Sequence, residues 1–339
     1  MARLLIVALV LAGCAALFAS YLLTRPLNIS DTEYLLIERG DSISSLTEKL
    51  AQEDWLVLPK VMFQAYGRAT LTRGHIKAGE YQVDLGMTPL ELLTLLRSGN
   101  VIQRTVTFPE GWTVSQWLEH LSSTEHLIEN DQTAAERILS DLREWEGRLY
   151  PDTYAYTRGE SSVDILNRAK HKMDQVLVQI WASRTADAAV TSAEEALILA
   201  SVIEKETGYE PDRPLVASVF NNRLTRGMKL QSDPTVIYGL ADFDGDLRRR
   251  HLKLVHPHNT YVHKGLPAGP ICNPGLASLK AAVDPPASPY YYFVAQGDGR
   301  SYFSTNLDEH RRAVNQYQKT GRVKAYRSTP AVDTNLSIP

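Results

Sequence analysis

The run Ala200-Ser201-Val202-Ile203-Glu204-Lys205-Glu206-Thr207 sets two carboxyl groups near the end of a predicted helix. Counting back by helical spacing, Glu204 shares a stripe with Leu197, Ala200 and Ser201, and Glu206 with Leu199, Val202 and Ile203. A carboxyl beside apolar or small neighbours is partly desolvated. Desolvation raises its pKa toward the range a general acid needs near neutral pH. A Glu-Lys-Glu triplet at a helix end is also an ordinary solvated face, and periodicity does not choose between the two glutamates.

Other polar and aromatic groups gather in loops downstream. Leu230-Gln231-Ser232-Asp233-Pro234 brings an Asp-Pro step, which favours an extended or turn conformation before the proline. Gln231 and Asp233 are therefore candidates for a binding rim, with a plain turn as the alternative. Asn259-Thr260-Tyr261, Gly265-Leu266-Pro267 and Asn273-Pro274-Gly275 lie in a long Gly/Pro-rich stretch of the kind that is usually functional. Amides bind hydroxyls and aromatic faces cover sugar rings, so Asn259, Tyr261 and Asn273 fit a carbohydrate site. His251, His256, His258 and His263 raise the question of a metal, but no HExxH, CxxC or carboxylate stands at ligand spacing. No metal site and no cofactor are expected. No Gly-rich phosphate loop and no GxSxG elbow are present, and Cys272 has no activating neighbours.

The elements that must position these groups follow from periodicity and capping. A helix opening at Ser192-Ala193-Glu194-Glu195 with a capping box should end in a left-handed Gly208. A second should cover 214–226, closed by Gly227. Tyr290-Tyr291-Tyr292-Phe293-Val294 and Ser301-Tyr302-Phe303-Ser304 flank Gly297-Asp298-Gly299 and read as a hairpin. Asn306 caps a final helix. Upstream, Gly40/Ser42/Leu46/Leu50, Gly86/Thr88/Leu92/Leu96 and Gly111/Thr113/Trp117/Leu121 repeat one helix-start pattern. Thr88, Pro89 and Glu91 complete a capping box. Strand-like stretches at 34–37, 79–83 and 104–108 precede these helices. Residues 109–190 read as mainly helical, interrupted near Gly147 and at 150–154, with a long amphipathic helix over 163–182.

The whole chain has 339 residues, a net charge of −3, 22% charged and 44% hydrophobic residues. Two or three domains fit that length. The balanced charge argues against a nucleic-acid partner. Residues 4–23 carry no charge, and 20 residues of helix match a bilayer core of about 30 Å. Leu11-Ala12-Gly13-Cys14 fits a lipoprotein signal, but the apolar run continues to Leu23, which favours an uncleaved anchor over lipidation or a cleaved signal. Cys14 and Cys272 are too differently placed to suggest a disulfide.

The ordered set from Ala200 to Thr207, Val216-Ala217-Ser218-Val219-Phe220-Asn221-Asn222-Arg223-Leu224, Leu230 to Gly239, Asn259-Thr260-Tyr261, Gly265-Leu266-Pro267 and Tyr292-Phe293-Val294 resembles the endolytic murein transglycosylases, the YceG-like family. The resemblance implies a bacterial inner-membrane enzyme with its catalytic domain in the periplasm. Its substrate would be nascent peptidoglycan glycan, cut internally between N-acetylmuramic acid and N-acetylglucosamine with a 1,6-anhydro end. It implies that Glu204 is catalytic, and Gln231, Asp233, Tyr238, Asn259, Tyr261 and Asn273 are expected to contact substrate. Peptidoglycan synthases are possible partners. A membrane-tethered glycan-binding scaffold without activity is the competing reading, and a metal-dependent hydrolase using the 256–263 histidines a third. The expected fold class is α+β: residues 1–3 cytoplasmic, a transmembrane helix 4–23, a linker 24–33, a small LysM-like α+β module 34–108, a helical connecting region 109–190, an α+β catalytic domain 191–322 and a disordered tail 323–339.

Overall fold

The computed structural model describes residues 2–38, 40–70, 76–128, 138 and 142–320. The fold is mixed α and β with small two-stranded sheets, in agreement with the α+β expectation. Two compact units emerge. One comprises Met1–Val106, Glu125–Ile128 and Ala155–Ser161, and the other Thr107–Thr124, Glu129–Tyr154 and Ser162–Pro339. The tail expected at 323–339 lies outside the described residues.

In the first unit, α1 (Ala2–Leu23) is helical across the apolar run. Among the described residues no helix is long and apolar enough to cross a membrane. Helicity is therefore observed at α1, and a bilayer crossing is not. Strand β1 (Glu33–Ile37) pairs antiparallel with β2 (Gly79–Val83), Glu33 facing Val83 and Ile37 facing Gly79. Between them lie α2 (Ile43–Gln52) and α3 (Lys60–Thr70), and α4 (Pro89–Ser98) follows. The starts of α2 and α4 have a local cause. Ser42 and Thr88 cap α2 and α4 in reciprocal boxes with Ser45 and Glu91, and Gly99 ends α4 in the left-handed region at φ 70°. Leu46, Leu50, Leu92 and Leu96 line the core with Phe63 and Tyr81, all at most 1% exposed. Glu80 is buried in this unit between Arg104 and Arg158, at 2.6 Å from each. Strand β3 (Arg104–Thr107) pairs with β4 (Thr153–Tyr156).

In the second unit, α5 (Val114–Ser122) opens with a Thr113–Gln116 box. A short α6 (Leu142–Trp145) and the long α7 (Ser162–Ala182) follow. The break expected at 150–154 runs into β4. Helix α8 (Ala193–Glu206) begins at Ser192, whose Oγ accepts the Glu195 N–H at 3.1 Å. The Glu195 carboxyl turns instead to Thr191, so only half of the expected box forms. Every residue from Ala196 to Ile203 is buried, which makes the middle of α8 a core helix. Its end differs from expectation: Thr207 is extended (φ −144°, ψ 127°), and Gly208 is absent from the left-handed set. An extended exit turns the chain away at once into a 3-10 turn, Glu210–Asp212, that leads into α9 (Arg213–Thr225). Helix α10 (Asp233–Tyr238) starts right at the Asp-Pro step, with Ser232 as the extended residue. Helix α11 (Leu276–Val283) packs on α8, contributing Leu279 and Ala282 to a core that includes Leu197, Val216 and Phe220. The predicted hairpin forms as β5 (Tyr292–Ala295) and β6 (Ser301–Ser304), paired antiparallel, and Asn306 caps α12 (Leu307–Val314).

Candidate functional site

The end of α8 carries the candidate chemistry, and three loops of the second unit close on it. Buried Ser201 accepts the Ile271 N–H at 3.0 Å, and its carbonyl accepts from Cys272 Sγ at 3.3 Å. These bonds stitch the 271–275 loop along the helix. One turn on, Gly275 N–H donates to Glu204 Oε2 at 3.0 Å. Arg213 Nη2 stands 3.5 Å from Glu204 Oε1. The Glu204 side chain is only 7% exposed, so it sits on the floor of a site and is not a solvated face.

The second loop is Glu110-Gly111-Trp112. Gly111 N–H donates to Asn273 O at 2.9 Å, and Lys205 Nζ donates to Gly111 O at 3.2 Å. A side chain at Gly111 would meet Glu204 Cγ at 3.5 Å. The third loop, 147–150, is tied in by Leu149 N–H, which donates to Asn273 Oδ1 at 2.9 Å. Asn273 is fully buried, and its Nδ2 donates to Trp112 O at 3.0 Å. Its amide therefore serves the loops around Glu204.

Glu206 occupies the other side of the helix end. Ser232 Oγ donates to its Oε1 at 2.5 Å. Burial, opposed by that hydrogen bond and reinforced by Asp233, pushes the Glu206 carboxyl up to about 7. Ser232 is set by Thr260, whose Oγ1 accepts the Ser232 N–H at 3.0 Å and whose carbonyl accepts the Gln231 N–H at 3.3 Å. Gln231 is exposed at φ 52°, a left-handed geometry costing roughly 1–3 kcal/mol for a non-glycine residue. Tyr261 donates its hydroxyl to exposed Asp233 Oδ1 at 2.6 Å, and burial pushes its own pKa up. Asn259 is fully buried; its Nδ2 donates to Leu254 O at 2.7 Å and its Oδ1 accepts the Tyr261 N–H at 2.9 Å. Gln231, Asp233 and Tyr261 thus gather beside Glu206, while Asn259 shapes the loop that carries Tyr261.

Tyr238 donates to Glu146 Oε2 at 3.1 Å and packs edge-on against the His258 ring. Glu146 is 3% exposed and also accepts the Val114 N–H at 3.2 Å. Burial drives its carboxyl to about 7 against those bonds. Among the described residues no group of three or more His, Cys, Asp or Glu could hold a metal ion. Cys272 is buried and its thiol is pushed well up by burial, as befits an inert packing group.

Sequence reasoning missed Glu110, Glu146, Lys205 and Arg213. Arg213 had a readable signal: a cation in the first turn of a helix opposes the macrodipole, so it must answer to something else. Glu110 and Glu146 come together with the helix end only through tertiary contacts.

A model of the YceG-like family matches residues 35–316. The chain is 30% identical over 305 residues to the endolytic murein transglycosylase of Bacillus subtilis (strain 168), covering 83% of each chain. It is 24% identical over 334 residues to the endolytic murein transglycosylase of Streptococcus pneumoniae serotype 2, spanning 86% of this chain and 60% of that one. Among solved structures it is similar to a putative yceG-like protein from Listeria monocytogenes, with a TM-score of 0.52 and 27% identity over 84% of this chain and 99% of that chain.

Proposed function

The chain belongs to the YceG-like family, and from that premise we propose that it is an endolytic lytic transglycosylase, a lyase of peptidoglycan glycan strands. The observation that carries the reading is the setting of Glu204: a buried helix end, a backbone N–H, an arginine and three converging loops around one carboxyl. A glycosidase that adds water uses two carboxyl groups. Here one suffices, because the sugar supplies its own nucleophile. Glu204 gives its proton to O4 of the leaving N-acetylglucosamine as the C1–O4 bond of N-acetylmuramic acid breaks. The C6 hydroxyl oxygen then bonds to C1, and its proton returns to Glu204. The carboxylate present between the two steps is held by the Gly275 N–H and Arg213. No water is consumed, and the product carries a 1,6-anhydro ring.

Gln231, Asp233 and Tyr261 orient the strand on the Glu206 side, where Gln231 and Asp233 are exposed and Tyr261 donates to Asp233. Tyr238 packs beneath the site. Asn259 and Asn273 act mainly by holding the loops. Helix α1 would anchor the chain in the bacterial inner membrane, a reading supported by the absence of any charged residue from 4 to 23. The tether would keep the periplasmic catalytic unit where new strands emerge, beside the synthases that make them. Residues 34–108 would add a LysM-like glycan contact.

Mass analysis of purified glycan strands incubated with the full chain tests this reading. Internal cuts with anhydro ends are expected. Reducing ends would assign a hydrolase instead, and an unchanged strand would leave a binding scaffold.

A further inference from the structure

Arg213 carries more hydrogen-bonding capacity than the protein uses. Its side chain, in the first turn of α9, is only 9% exposed. Among the described residues its one hydrogen-bonding contact is Nη2 to Glu204 Oε1 at 3.5 Å. A good charge-assisted bond is shorter, about 2.7–2.9 Å. The Nε atom is buried with no partner. A guanidinium only donates, and buried donors left unmet cost stability. A group in this state calls for a further acceptor.

Arg213 lacks acceptors, but its charge is already answered. Glu204 stands beside it, and Glu110 feels the charges of Glu204, Arg213 and Glu210 together. An anionic ligand group would enter among three carboxyls, so a neutral acceptor fits better. Glu110 supplies the complementary half. It is exposed and makes no hydrogen bond or ion pair among the described residues. Its place is nonetheless set: a Cβ on Gly275 would collide with its carboxyl, and the Gly275 N–H binds Glu204. Beside Glu204 the protein thus presents a donor-only group and a carboxyl, both with capacity to spare. A secondary amide matches that pair, because its carbonyl only accepts and its N–H only donates. Hydroxyls do both and would not distinguish the two. On a strand of N-acetylated sugars the amide stands on C2, next to the C1 whose bond breaks.

We infer that Arg213 and Glu110 together read an acetamido group of the glycan strand at Glu204, Arg213 donating to its carbonyl oxygen and Glu110 accepting its N–H. The inference rests on the transglycosylase reading for its substrate. It accounts for the spare donors of a buried arginine and for a fixed acid without a partner. It also accounts for the glycine at 275, since any side chain there would displace the acid.

The test reads affinity and needs no turnover. Purified glycan strands are de-N-acetylated, then re-acylated with acetyl or with thioacetyl groups. The two products share charge and N–H, but thioacetyl replaces the acceptor oxygen by sulfur, a weak acceptor. Dissociation constants are measured for the full chain carrying Glu204→Gln, which cannot transfer the proton, with and without Arg213→Met, after thermal melts confirm the fold. With Arg213 in place, sulfur should weaken binding about tenfold. In the Arg213→Met chain the two strands should bind within about twofold of each other. Glu110→Ala in the same Glu204→Gln chain should weaken binding of acetyl strands about threefold. Equal affinities for acetyl and thioacetyl strands with Arg213 intact overturn the assignment, and that comparison needs no Arg213 variant to fold. A sulfur penalty that persists in Arg213→Met, or an unchanged affinity in Glu110→Ala, overturns the pairing as well. The transglycosylase reading is judged separately, by anhydro ends from the wild-type chain.

Discussion

Replacing Asn273 by alanine separates a scaffold role from a substrate contact. Its Oδ1 accepts the Leu149 N–H at 2.9 Å in a fully buried setting, and its Nδ2 donates to Trp112 O at 3.0 Å. The Asn273→Ala variant leaves the Leu149 N–H without a partner, which costs about 1–3 kcal/mol. The Trp112 carbonyl keeps a second bond from the residue-273 backbone N–H at 2.9 Å, so its loss adds only about 0.5 kcal/mol. A total near 2–3 kcal/mol should lower the midpoint of thermal unfolding by roughly 5–10 °C for a unit of this size. The rate should fall as well, because the lost side-chain bonds hold the 147–150 loop and Trp112 beside the Glu204 site. Gln231→Ala is the contrast. Gln231 is exposed, and alanine meets the same left-handed backbone, so stability should change by no more than about 0.5 kcal/mol while KM rises. The assay is differential scanning fluorimetry of the full chain in detergent, with initial rates on glycan strands. An Asn273→Ala chain that melts within about 1 °C of wild type but shows a raised KM would refute the scaffold argument.

Three further predictions concern other parts of the molecule. Glu146 and Glu206 are both raised from 4.5 to about 7 in the folded chain, so the folded state binds more protons between those values. Their contribution to stability is full below about pH 4.5 and is lost as pH rises through 7; urea titrations from pH 5 to 8 should show that decline, and Glu146→Gln with Glu206→Gln should flatten it. In the first unit, burial pushes the Glu80 carboxyl up, but the Arg158 and Arg104 hydrogen bonds outweigh it and hold the pKa below the usual value. Removing that charge with Glu80→Gln leaves Arg104 and Arg158 unpaired but partly solvated and should cost about 1–3 kcal/mol by denaturant titration; no measurable cost would contradict the ion-pair argument. Tyr261→Phe deletes the 2.6 Å bond to Asp233 and should raise KM severalfold with kcat little changed, whereas an equal fall in kcat would place Tyr261 nearer the reacting atoms.

Local chemistry made much of the fold legible. Ser42, Thr88, Thr113, Ser192 and Asn306 each mark a helix start because the hydroxyl or amide answers an orphan N–H within three residues. The Gly297-Asp298-Gly299 turn fixed the β5–β6 hairpin for the same reason: its information lies within a few residues. The exit of α8 was not legible, because the extended Thr207 depends on where the chain must go next. The stripes assigned to Glu204 and Glu206 could not separate them either, since Ala196–Ile203, which supplies the neighbours of both, is buried on all sides and offers no contrast. What distinguishes the two carboxyl groups is tertiary. Glu204 meets the 271–275 loop and Arg213, whereas Glu206 is closed off by Ser232. Glu110 precedes a helix cap in the sequence, but its loop reaches the end of α8 only through the fold, as in the Lys205–Gly111 bond that spans 94 residues.

The role of Glu204 is open to one direct measurement. Purified glycan strands are incubated with the wild-type chain, Glu204→Gln and Glu206→Gln, and anhydromuropeptides are counted by mass spectrometry after confirming that each variant melts as a folded protein. Glutamine keeps the shape of the side chain and its bond from Gly275 but can neither give nor take the proton. Loss of anhydro products in Glu204→Gln, with Glu206→Gln still active, is the predicted result. Wild-type product levels from Glu204→Gln would contradict it.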